Sequence, residues 1–113
     1  RPVLERFVQH VMESWRAAGG EPDVALALPE LLVANGFVIR SATPRIFCVR
    51  PADDFWRWPA GFIEINLARL HELGRVDATF IEQARRELAE AAANPSSLML
   101  TPMVLEIIGE KVG

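Results

Sequence analysis

The chain has a single cysteine, Cys48, among its 113 residues. That excludes an intrachain disulfide or a cysteine metal cluster and agrees with a reducing compartment. Charge of one sign is concentrated nowhere. Lys and Arg number 12 against 15 Asp and Glu, for a formal net charge of -3, and Arg85-Arg86 is the only adjacent basic pair. So even a spread leaves no electrostatic footprint for nucleic acid or an anionic membrane. No apolar run reaches the roughly 18 residues of a membrane span and no signal peptide is visible. A cytoplasmic location is therefore expected. Glycine is missing where phosphate chemistry would need it, because Gly19-Gly20 follows a helical pattern rather than a strand and so reads as a helix stop. Histidine is scarce as well. His10 lies beside the polar face of its helix, and His71 falls in a last helical turn, where an imidazolium suits the dipole. Asp53-Asp54 has no further His or Asp nearby, so capping accounts for it and no metal site is expected.

What is present is apolar patterning: hydrophobic residues make up 50% of the chain, enough for one core and too short a chain for two ordinary domains. Over residues 3–18, Leu4, Phe7, Val8, Val11, Met12 and Trp15 share one helical face. A second helix is predicted over 29–35, with Pro29 in its first turn and Gly36 able to end it in the left-handed conformation. Phe37, Val38 and Ile39 follow without polar alternation, as in a strand covered on both faces. The strand extends toward Arg50 through Ser41-Ala42-Thr43-Pro44, where the proline predicts a bulge, a bend or an edge; Cys48 is expected there as a small buried residue.

Two more helices are predicted. One starts near Pro59 and runs through Leu73, with Phe62, Ile63, Leu67, Leu70 and Leu73 inward and Gly74 closing it. The other is capped by Asp77, carries an apolar stripe of Ile81, Ala84, Leu88 and Ala91, and turns Glu82, Arg85, Arg86, Glu87 and Glu90 to solvent. Asn94-Pro95 stops it. The last apolar run, from Leu98 with Pro102 inside, reads as a strand with Val104, Leu105, Ile107 and Ile108 largely buried.

The order LPELLVANGF, then a long strand, then DDFWRW, then PMVLEIIGEK resembles the C-terminal part of a class I S-adenosylmethionine-dependent methyltransferase of the small-molecule type. The resemblance covers essentially the whole chain. It implies an α/β fold, the incomplete C-terminal part of a Rossmann-like sheet with about four helices and two long strands, and a helical insertion between the last two strands. Residues 3–18 would be a substrate-side helix, 28–50 the crossover helix and penultimate strand, 53–94 a helical cover and 98–111 the last strand. The family's cofactor motifs map to no residue here, so S-adenosylmethionine would rest on an N-terminal half. The chain begins at Arg1-Pro2 and reads as a piece of a longer enzyme, inactive on its own.

On this reading the partner is a small-molecule methyl acceptor, with self-association through exposed strand or helical faces. Trp15, Trp56, Trp58 and Phe62 are the substrate-pocket candidates, since indoles offer large flat surface and one donor. Trp56 and Trp58, one residue apart, should diverge, with Trp56 toward the cleft and Trp58 packed at the helix start. The competing reading of all four is core packing. A non-catalytic helical ligand-binding or protein-interaction module is the alternative function.

Overall fold

A computed structural model describes residues 1–112. Its fold is mixed α/β, with four helices and two small antiparallel sheets: α1 Pro2–Ala17, α2 Leu28–Ala34, β1 Phe37–Arg45, β2 Cys48–Val49, α3 Arg57–Glu72, α4 Ala78–Ala93, β3 Met99–Leu100 and β4 Val104–Lys111. Single 3-10 turns at Val24–Leu26 and Asp54–Trp56 precede α2 and α3.

Helices α1, α3 and α4 pack together because each carries an apolar stripe at helical spacing. Phe7 and Val11 of α1, Ile63, Leu67 and Leu70 of α3, and Ala84, Leu88 and Ala91 of α4 are buried in one cluster with Val49 and Trp56. Asp77 caps α4 as predicted, accepting the Phe80 N–H at 2.8 Å, and Gly74 takes φ +70° after α3. Glu87 departs from its predicted place among the solvated charges of α4. Its carboxylate accepts the N–H groups of Val3 (3.3 Å) and Leu4 (3.0 Å) and so caps α1 from a neighbouring helix.

The other half of the molecule is a ribbon. Strand β1 pairs antiparallel with β4, with Phe37 opposite Lys111 and Arg45 opposite Val104. Directly opposed residues share a face, so Phe37, Ile39, Ala42, Pro44, Leu105, Ile107 and Gly109 form one apolar face. Helix α2 lies over one end of it. Gly36 ends that helix with φ +84°, its carbonyl accepts the Val112 N–H at 2.9 Å, and Lys111 Nζ donates to the Asn35 carbonyl. Of the bulge, bend or edge predicted at 41–44, the structure gives the edge, and a register shift falls just before it, between Ile39 and Ser41. Pro44 stays in register, which an edge strand allows because its missing N–H can face outward.

Three expectations about strands are corrected. The strand to Arg50 and the run from Leu98 each break in two, because Pro102 cannot donate to a ladder and the chain crosses over at Phe47 and Thr101. Val38, Val104 and Ile108 are exposed, and Phe37, Ile39, Leu105 and Ile107 only half-buried, because no layer other than the short α2 covers the ribbon. Cys48 is exposed. The result is elongated, 54 × 33 × 18 Å, with a radius of gyration of 17.4 Å, where a compact domain of this length has about 13 Å.

Candidate aromatic site at the neck

Ribbon and helical core meet at a neck formed by the short β2–β3 pair. There Thr101, almost fully buried, takes the Phe47 N–H on its hydroxyl oxygen at 2.9 Å and donates its own N–H to the Phe47 carbonyl at 2.8 Å. These two bonds extend the β2–β3 pair and fix where the Phe47 ring stands. Trp58 reaches the same place from the start of α3, with Phe55 one helical turn earlier, since residues three apart share a face. The Phe47 and Phe55 rings lie 5.1 Å apart at 69°, and Phe55 and Trp58 lie 5.5 Å apart at 45°. Such edge-to-face and tilted geometries are favoured for aromatic pairs. Phe47, Phe55 and Trp58, residues 49%, 45% and 44% exposed respectively, wall an open groove of about 290 Å³ with Arg45, Thr101, Pro102 and Val104.

Arg45 is the only charged residue in that lining. Its Nε and Nη2 donate to the two carboxylate oxygens of Glu106 across the ribbon at 3.0 and 3.2 Å. These bonds, with the attraction between the charges, hold the Glu106 carboxyl below its ordinary value and raise the Arg45 guanidinium above its own. The groove is thus apolar inside and close to neutral at its rim.

Of the predicted candidates only Trp58 faces this groove. Trp56 is buried on the core side, which reverses the expected assignment of the two indoles. The chain is helical from Asp54 onward, so Trp56 lines up with Pro59, Ile63 and Leu67, all buried, at spacings that keep one helical face inward. Phe62 and Trp15 meet edge-on at 6.0 Å, and Phe62 meets Phe7 at 6.3 Å; both pack against the helical core. Sequence reasoning did not find Phe47, Arg45 or Thr101. Phe55 was legible as the residue three before Trp58; Phe47 had no local signal, because a pairing across 54 residues brings it there.

The other candidates are occupied otherwise. His10 stacks edge-on against Phe80 at 5.3 Å. Asp53 Oδ2 accepts the Arg50 N–H at 2.7 Å. His71 edges a broader hollow of about 460 Å³ between α3 and α4, shared with Ala68, Glu72, Ala78, Ile81, Glu82 and Arg85. Two of its exposed charges are engaged with neighbours, Arg85 with Glu64 and Glu82 with Arg86. Among the described residues no group of three His, Cys, Asp or Glu is placed to hold a metal, and no helix is long and apolar enough to cross a membrane. Comparison of the chain with protein-family models, curated proteins and solved structures returns no match.

Proposed function

We propose that this chain is the C-terminal, substrate-covering part of an S-adenosylmethionine-dependent methyltransferase acting on a small molecule. One observation carries the reading. A short helix feeds a strand, the chain leaves to build a helical layer, and it returns to lay its last strand antiparallel beside the first. That is the order the resemblance implies for the end of a Rossmann-like sheet with an inserted cover. The half-exposed apolar ribbon supports it: two strands with apolar faces are a poor sheet alone, and both would be covered in a larger one.

The described residues do not fit the cofactor. No glycine-rich turn follows a strand, and a side chain added at Gly36 would come 3.1 Å from Lys111 Nζ, so that turn is filled by the protein itself. What this chain supplies is shape: an aromatic wall beside the ribbon that can hold an acceptor and exclude water from it.

The test uses the product of the complete reading frame that encodes the chain. It should bind S-adenosylmethionine with micromolar affinity by calorimetry, whereas the 113 residues alone should show no measurable binding. Trp58→Ala in that product should leave cofactor affinity within about twofold and lower kcat/KM for the acceptor about tenfold, near 1.4 kcal/mol. A complete product without cofactor affinity would sink the reading in favour of a ligand-binding module.

A further inference from the structure

We infer that the neck groove is a binding site for a flat, uncharged aromatic molecule carrying one hydrogen-bond acceptor. As the site of a methyl acceptor this rests on the proposed function; as a ligand site it does not.

Three observations set the ligand class. Phe47, Phe55 and Trp58 are each nearly half exposed while packed on one another and tied in through the two Thr101–Phe47 hydrogen bonds. A wall of fixed rings at 5.1 and 5.5 Å favours a planar π-surface over a branched aliphatic one, because stacked and edge-on ring contacts add to simple burial. Size is the second: about 290 Å³ lies at the lower limit of small-molecule sites, roughly 300–1,000 Å³, and suits one or two fused rings.

Charge is the third. Arg45 would attract an anion, but Glu106 lies on the same face and holds it through two bonds. With the Arg45 charge balanced by Glu106 just outside the groove, neither an anionic nor a cationic ligand gains a free partner charge to offset the water it loses. Arg45 Nη1 has no acceptor among the described residues. A neutral ligand can therefore present an oxygen to those N–H groups without disturbing the ion pair, since guanidinium offers five donors and Glu106 uses only two.

The probe is 1-naphthol, titrated into the chain by calorimetry beside 1-naphthoate and 1-naphthylmethylammonium, which share the ring system and carry opposite charges. The expected result is saturable binding of one naphthol per chain, with each charged analogue weaker by about fivefold or more. Trp58→Ala should weaken naphthol about tenfold with an unchanged circular dichroism spectrum, and Trp58→Phe should restore most of the affinity. Trp56→Ala serves as the folding control, because loss of that buried ring should lower stability first. Absence of saturable binding overturns the inference. So does unchanged affinity in folded Trp58→Ala, naphthoate binding as tightly as naphthol, or binding that appears only when a self-associated form dissociates. Naphthol binding in a complete gene product without affinity for S-adenosylmethionine would keep this site and discard the methyltransferase reading; cofactor affinity without naphthol binding would do the reverse.

Discussion

Glu87 carries more than its place on a charged helix face suggests. The first turn of α1 has no side-chain cap of its own, since Arg1 occupies that position, and the helix opens with N–H groups that need an acceptor. Glu87 supplies two carboxylate oxygens from α4, and negative charge there also suits the dipole of α1. Glu87→Ala is expected to lower unfolding free energy by about 1–2 kcal/mol, as loss of a good cap does. Glu90→Ala, which removes only an exposed contact with Arg1 at 4.0 Å, should cost less than about 0.5 kcal/mol. Urea denaturation of the two variants checks the difference, and equal midpoints would remove the capping role. The sequence could not indicate this, because periodicity assigns Glu87 to the polar stripe and says nothing of which helix end lies beside it.

At the scale of the element, the ribbon depends on cross-strand pairs. Arg40 reaches Glu110 at 2.6 Å and Arg45 reaches Glu106 at 3.0 Å, all on the face opposite α2. The Glu106 carboxyl is held below its ordinary 4.5 by its bonds to Arg45. A carboxyl lowered on folding adds stability above its unfolded value, and that contribution fades as pH falls from about 4.5 through the lower folded value. Acidification below that range should therefore loosen the β1–β4 ladder, and Glu106→Gln should abolish this part of the pH dependence. Amide exchange in β1 at neutral and acid pH measures it. Equal acid sensitivity in the variant would show the pair to be passive, as many exposed pairs are. Both arginines and both glutamates were visible in the sequence, but the pairing was not: it requires the register that sets Thr43 opposite Glu106 and Val38 opposite Glu110.

At the scale of the molecule, two halves have unequal claims to stability. The helical half has a core in which Leu67 and Leu70 are fully buried, whereas the ribbon leaves Val38, Val104 and Ile108 exposed beside unpaired strand edges. Edges flanked by apolar side chains are templates for further strand pairing. The chain alone should therefore self-associate, with a sedimentation coefficient that rises with concentration, and Val38→Lys with Ile108→Lys should return it toward a monomer. A single well-folded species over a hundredfold concentration range would contradict this. Either outcome also bears on the proposed function, because a larger sheet and a second copy would compete for the same edges.

The sequence by itself determined the elements that local chemistry specifies. Apolar residues at helical spacing placed α1, α3 and α4; Gly36, Gly74 and Asp77 placed their neighbours' ends, since a left-handed turn and a capping carboxylate act within a few residues. The mixed α/β character and the order of the four helices followed from the same signals. The tertiary structure alone decided which aromatic rings meet, because Phe47 and Trp58 come together only after the chain has built two helices and returned through Thr101. It also decided that Trp56 faces inward and Trp58 outward, a choice set by which side of a newly started helix meets the core. Burial of the strands was the feature least accessible from sequence. An uninterrupted apolar run states that a strand can be covered, while cover itself depends on layers that pack against it, and in this chain α2 reaches only one end of the ribbon.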